Sequence, residues 1–312
     1  MTHPPRHDTT DGPTSASFFV AGATGATGAR VTRLLLERGH HVRAFVHRPD
    51  GRSEDLAGAG ADVVVGDLHD LDAVAAALHG TQAGYFVYPI APGLIEATAV
   101  FAQGAHEAGL TAIVNMSQIS ARRAAKSHAA QQHWIAERLL DRGPVPVTHL
   151  RPTFFAENLL LSANDITEHG AIRMPLGQGR HAPITVEDQA HVIAAILADP
   201  GPHAGATYPL YGPTEMDLFE IAQVFSTVLD RPIGYEPIGY DEFAGVLAAV
   251  GFAPHLIQHL RHVSQDFQRG VFAGTNDVVQ RLGHKQPVTI AEFVDQHRGI
   301  FAPSAIPSGQ PS

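Results

Sequence analysis

Three glycines in seven residues, Gly22-Ala23-Thr24-Gly25-Ala26-Thr27-Gly28, join an apolar run, Ser17-Phe18-Phe19-Val20-Ala21, to an amphipathic segment that reaches Arg38. A strand that feeds straight into a helix needs a sharp turn, and glycine makes one because it lacks a Cβ and accepts positive φ. The helix that follows offers unpaired N–H groups and the positive end of its dipole to a pyrophosphate. The spacing is GxxGxxG rather than GxGxxG, and in a chain with 30 glycines spacing alone carries little weight. Context carries it. Val31, Leu34 and Leu35 fall on one helical side, Arg30, Arg33 and Glu37 on the other, and Gly39 stops the pattern. The motif predicts the first strand–helix unit of a dinucleotide-binding domain.

The rhythm continues downstream. Apolar strands are predicted at 41–47, 61–66, 83–88, 111–116 and 145–150, with helical stretches at 71–78, 95–108 and 129–140. Strands alternating with helices build an α/β fold with a doubly wound parallel sheet, whose ligand crevice lies at the carboxyl ends of the strands. From Arg151 the alternation breaks. Helix is expected at 155–168, 187–197 and 218–229, strand at 207–210 and 233–237, and mostly helix from there to Phe301, with a loop between 168 and 187. The division that follows is a nucleotide-binding domain at 16–153 and a smaller mixed α/β substrate-binding or lid region, mainly C-terminal, at 154–301. Residues 1–15 and 302–312, rich in Pro, Ser, Thr and Gly, are expected to be disordered tails.

Charge and composition narrow the function. The chain carries 21 basic and 31 acidic residues, a net charge of −10, which removes the electrostatic drive for nucleic-acid binding. It has no cysteine, so disulfides, thiolate metal sites and cysteine nucleophiles are excluded. No apolar run is long enough for a membrane span and the N-terminus does not read as a signal peptide, so the expected location is cytoplasmic. His255, His259 and His262 share one helical face but lack a fourth ligand, and an interfacial or solvated stripe with no metal is expected.

The residues placed at strand ends suggest a ligand. An acidic residue about 20 positions beyond the glycine turn serves the ribose of NAD. Here His47-Arg48-Pro49 stands in its place, which suits a 2′-phosphate and favours NADP(H), with NAD(H) as the second choice. Asp67, in Gly66-Asp67-Leu68, can accept from an adenine amino group or cap the next helix. Phe154, Phe155 and Asn158 follow the sixth strand and are expected to floor the pocket.

Six stretches in order resemble the NmrA-like branch of the atypical short-chain dehydrogenase/reductases: Gly22–Gly28, His47-Arg48-Pro49, Gly66-Asp67-Leu68, His133-Trp134-Ile135-Ala136-Glu137, residues 150–158 and Ile184-Thr185-Val186-Glu187-Asp188. The resemblance implies a Rossmann domain with a small C-terminal domain and a nicotinamide cofactor held by Gly22, Thr24, Gly25, Thr27, Gly28, Arg48, Asp67, Tyr88 and Ser117. Ala26, His47, Leu68, Pro89, Pro152 and Phe154 complete the expected cofactor set, and Gln118, Phe155, Asn158 and Met174 the substrate set. One departure stands out. None of the six tyrosines has lysine four residues on, and the family's spacing puts His133 in the lysine place and Ala129 in the tyrosine place. The ordinary proton donor is missing. His133 and Ser117 are therefore the expected catalytic groups, and His133 can equally be a packing residue.

The resulting expectation is an NADPH-dependent oxidoreductase. Its substrate would be a quinone or a conjugated or aromatic carbonyl compound, as in secondary-metabolite tailoring, because an electron-poor acceptor needs little protonation. A non-catalytic NADP(H)-sensing regulator is the alternative, and a scaffold for another protein a third. Monomer and homodimer are both compatible with the sequence.

Overall fold

Buried, β-rich runs separated by amphipathic helices stack into a parallel sheet in the computed structural model, which describes residues 15–302. Its first half comprises β1 (Ser17–Val20), α1 (Ala26–Glu37), β2 (His41–Val46), α2 (Gly51–Gly58), β3 (Asp62–Val65), α3 (Leu71–Leu78) and β4 (Ala83–Phe86). α4 (Leu94–Glu107), β5 (Ala112–Met116), α5 (His128–Leu140) and β6 (Val147–Pro152) follow. Then come α6 (Ala163–His169), β7 (Ala171–Met174), α7 (Val186–Ala198), β8 (Thr207–Leu210), α8 (Leu218–Leu229) and β9 (Gly234–Pro237). Four helices end the chain: α9 (Tyr240–Ala249), α10 (Pro254–Gln268), α11 (Val278–Gly283) and α12 (Ile290–Gln296). Apart from Ser15 and Ala302, the two expected tails lie outside the described residues.

The large sheet has the order β3-β2-β1-β4-β5-β6-β8, with every neighbouring pair parallel. This is the doubly wound arrangement, and the order reverses between β1 and β4. All residues of the central strands β4 and β5 are buried, as expected of parallel strands covered on both faces. One face packs on α1, α7 and α11, the other on α3, α4 and α5. On the second face Phe19, Phe45, Phe86 and Phe101 are almost wholly buried, with Phe86 stacked on Phe101 at 4.7 Å between centroids. Burying each such ring contributes about 1.5–3 kcal/mol.

Part of the stretch after residue 153 returns to this sheet, which corrects the sequence division. β8 is the seventh strand beside β6, and α7 lies along α1. The apolar face of α7, including Val192, Ile193, Ile196 and Leu197, is buried there, and Arg30 of α1 donates to Glu187 of α7. α11 also packs on that face of the large sheet, and a second core forms around a two-stranded parallel sheet of β7 and β9, covered by α8, α10 and α12. β7 falls in the stretch read as a loop, because four residues, Ala171-Ile172-Arg173-Met174, are too short to show a period. The helix expected over 155–168 is also corrected. It is a 3-10 stretch, Ala156–Ser162, followed by α6. Glu157 in that stretch turns outward from its own helix to accept from Val186 N–H at 2.8 Å, capping α7.

Candidate functional site

The glycine turn leaves β1 at the reversal point of the sheet. Gly22 has φ +56, and a Cβ on Gly28 would lie 2.3 Å from the Gly22 carbonyl oxygen, so only glycine lets α1 begin so close to the strand end. Gly25 differs: its backbone is extended, it is exposed, and a Cβ there would sit 3.1 Å from Gly22 O, facing outward. Gly25 is the N-cap of α1 and supplies no side-chain acceptor, and no acidic residue stands in the first turn. The N–H groups of Ala26, Thr27 and Gly28 therefore begin a helix with nothing of its own to satisfy them. Thr24 is half-buried and Ala26 exposed beside them. The Thr27 hydroxyl is buried against the Tyr85 hydroxyl at 3.0 Å.

His47, Arg48 and Pro49 are exposed just past β2. A second cation that the sequence reading missed stands beside them. Arg52 donates to Thr24 O at 3.2 Å and to Asp50 Oδ2, bringing a guanidinium against the glycine turn. Asp50 lies near the position where NAD-specific sites keep an acid, but its carboxylate is consumed: it accepts from Arg52 N–H and Ser53 N–H as the N-cap of α2. The spacing of Arg52, four residues beyond Arg48, was the available signal.

After β3, Asp67 Oδ1 accepts from the backbone N–H of His69 at 3.0 Å and pairs with His69 Nδ1 at 2.9 Å. Those bonds hold the Asp67 carboxyl below its ordinary range, and the pairing raises His69. Asp67 does not cap α3, since Asp70 does that. Leu68 is half-buried on the α3–α4 core. Beyond β4, Tyr88 is half-buried and donates to Pro92 O at 2.8 Å, while Pro89 is exposed. Burial raises the Tyr88 phenol.

Ser117 follows β5 and is 4% exposed; its Oγ has no partner among the described residues. Gln118 next to it accepts from Ser120 Oγ at 2.6 Å, yet its Nε2 is buried without an acceptor. His133 lies on the buried face of α5, where desolvation lowers its pKa to about 4, so the ring is neutral at pH 7. One turn on, Glu137 is fully buried and receives Arg151 Nε at 2.8 Å. α10 closes over this corner. Arg122 donates to both oxygens of Asp266 at 2.8 and 2.6 Å, and Ser127 Oγ pairs with His259 Nδ1 at 2.8 Å. The histidine stripe of α10 is thus interfacial through His259, whose pKa burial pushes down to about 3.

On the lid side, Pro152 is buried at the end of β6, and Phe154 packs edgewise on His181 and Phe267 at 5.0 and 5.7 Å. Phe155 is half-buried and Asn158 exposed. Met174 is an inward residue of β7, 6% exposed and part of the second core. His181, unmarked by any sequence pattern, is fully buried, and burial lowers its pKa to about 4. Two adjoining hollows of about 230 and 480 Å3 sit elsewhere, between α8 and α12, and none of the expected site residues lines them.

Two features test whether a dinucleotide suits this cleft. The first turn of α1 offers uncapped N–H groups in a glycine cradle, and Ser117 Oγ and Gln118 Nε2 are buried donors lacking acceptors. Both fit. The comparisons agree with the fold. Residues 14–294 match the NmrA-like family, and the chain belongs to it. It is 29% identical over 286 residues to NAD(P)H azoreductase of Xenophilus azovorans, spanning 91% of this chain and 99% of that protein. Quinone oxidoreductase 2 of Escherichia coli is 26% identical over 279 residues, 88% of this chain and 96% of that one. The solved NADPH complex of the Escherichia coli NADPH-dependent quinone oxidoreductase superposes with a TM-score of 0.80 at 25% identity, covering 90% of this chain and 99% of that structure.

Proposed function

We infer that the protein is an NAD(P)H-dependent oxidoreductase, and we propose that it prefers NADPH and reduces quinones or related electron-poor aromatic or conjugated acceptors. The uncapped glycine turn of α1 would take the pyrophosphate, Arg48 and Arg52 the 2′-phosphate, Asp67 the adenine amino group, and Ser117 the nicotinamide end. Arg48 and Arg52 favour the phosphorylated cofactor because a guanidinium matches phosphate geometry, whereas Asp50 is already occupied. When bound, a reduced nicotinamide supplies a hydride to the acceptor.

The observation that carries the acceptor class is the composition of the reaction end. Ser117 and His133 are neutral there, and no tyrosine–lysine pair stands beside them to protonate a developing alkoxide. Ser117 Oγ–H can hydrogen-bond an acceptor oxygen or the cofactor amide. Acceptors whose reduced form is already a weak base need no more than this. Calorimetric titration with NADPH and NADH, followed by mixing the NADPH complex with a benzoquinone, tests the reading. Tight NADPH binding and its consumption support it, and binding without consumption of NADPH would move the protein to a cofactor-sensing role.

A further inference from the structure

Asp67 has two oxygens with unequal duties. Oδ1 takes both the backbone N–H and Nδ1 of His69, while Oδ2 has no partner among the described residues and the side chain is 50% exposed. His69 is itself fixed at its other end, with Nε2 3.2 Å from Gly93 O and 3.4 Å from the Tyr88 hydroxyl. Its ring stands edge-on to Tyr88 at 5.8 Å between centroids. Gly93, at φ +103, exists to allow this: a Cβ there would lie 2.6 Å from both His69 Nε2 and Tyr88 Oη. The loops after β3 and β4 are thereby pinned together across the crevice.

We propose that His69 is a positioning residue that turns Asp67 so that Oδ2 faces a ligand's exocyclic amino group, setting the preference for adenine in the dinucleotide. The inference rests on the cofactor reading above and adds to it the group that makes the base subsite selective. A carboxylate free on both oxygens rotates about its terminal torsion and spends part of its time turned away. One held at Oδ1 by two donors does not. The same imidazole touches Gly93 O and Tyr88, so base recognition is mechanically joined to the loop that carries Tyr88. The charged and titratable groups around it are Asp67 and Glu96, which favour its protonated form, and His47 and Tyr88, which lie near Asp67. A protonated ring can donate at both nitrogens, to Asp67 and to Gly93 O.

The test uses the full-length protein with NADPH and its hypoxanthine analogue, in which a carbonyl oxygen replaces the adenine amino group. The native protein is expected to bind NADPH about ten-fold or more tighter than the analogue, since a hydrogen bond to a charged acceptor is lost and replaced by repulsion. In His69→Ala that preference, read as the ratio of the two dissociation constants, collapses toward unity. His69→Asn, whose amide nitrogen can stand in for Nδ1, retains most of the preference and shows that the loss in alanine is not misfolding. A His69→Ala protein that keeps the full preference overturns the role given to His69; a native protein that binds NADPH tightly with no preference at all overturns that role and Asp67's place at the adenine, and leaves NADPH as the cofactor. Failure of the native protein to bind NADPH overturns that reading and the inference with it.

Discussion

The two ends of the cleft are made from opposite kinds of group. At the β2–β4 end Arg52 and Asp67 are charged, the Asp67 pairing raises His69, and all three are exposed and held by neighbouring side chains or backbone carbonyls. At the β5–α5 end Ser117 and Gln118 keep buried atoms without partners, and His133 is stripped of its charge by burial. On the proposed function, the first end would meet the cofactor with charged groups that water already solvates, and the second with the buried hydroxyl and amide of Ser117 and Gln118 beside a neutral His133. The contrast says where affinity and turnover should separate under mutation: changes at the first end should alter which cofactor binds, and changes at the second how fast it is used.

The largest effect is expected where the two ends meet, at the glycine turn. Gly28→Val should destabilise the fold by about 1–3 kcal/mol and abolish cofactor binding, because its Cβ overlaps the Gly22 carbonyl. Gly25→Val should unfold at nearly the native denaturant midpoint and still fail to bind, since its side chain would occupy the pyrophosphate position. Equal midpoints for the two variants, or a Gly25→Val protein that binds NADPH normally, would remove the distinction. Next in size, replacing Arg48 and Arg52 together by alanine should weaken NADPH about ten-fold or more and leave NADH nearly unchanged, as measured by calorimetry. A parallel loss for both cofactors would mean that the cations serve the turn and not the 2′-phosphate.

At the other end Ser117→Ala should lower turnover several-fold with an almost unchanged apoprotein midpoint, because the hydroxyl it removes has no partner to lose. A drop in stability without a drop in rate would make Ser117 structural. A further prediction concerns pH and is separate from the mutational series. His133, His181 and His259 are held near pKa 4, 4 and 3 by burial, well below an unfolded value of about 6.5. Between those limits the unfolded chain binds more protons, so stability is complete above about pH 6.5 and declines as pH falls toward 4. Urea midpoints at pH 7 and pH 5 should differ in that direction, and a flat profile would refute the neutral, buried state of these rings.

The glycine turn and the strand order were legible in the sequence, and the packing around the residues beyond β5 was not. Glycine spacing, strand order and the His47-Arg48 pair are local signals, readable within a few residues. Arg52 was equally local and was missed only because Asp50 and Arg52 form one cap. His69 lay two residues from Asp67, but its meaning depends on Gly93 and Tyr88 from another loop. Ser117 was placed by family resemblance, and its lack of a partner is a property of packing. His181 and Met174 show the limit most clearly: whether a side chain faces a cleft or a core depends on the β7–β9 sheet, which no period in the sequence announces. The return of β8 and α7 to the large sheet was hidden for the same reason, since the partners that call for it lie more than 50 residues away.

One experiment addresses the separation of the two ends most directly: NADPH oxidation by the native protein, with the cofactor saturating, measured against a benzoquinone and against a simple unactivated ketone of similar size. With no positioned acid, the quinone should be reduced and the ketone should react more slowly by about 10²–10⁴, the usual contribution of general acid catalysis. Comparable rates for the two acceptors would contradict the account by revealing a proton donor that the neutral corner around Ser117 and His133 does not provide.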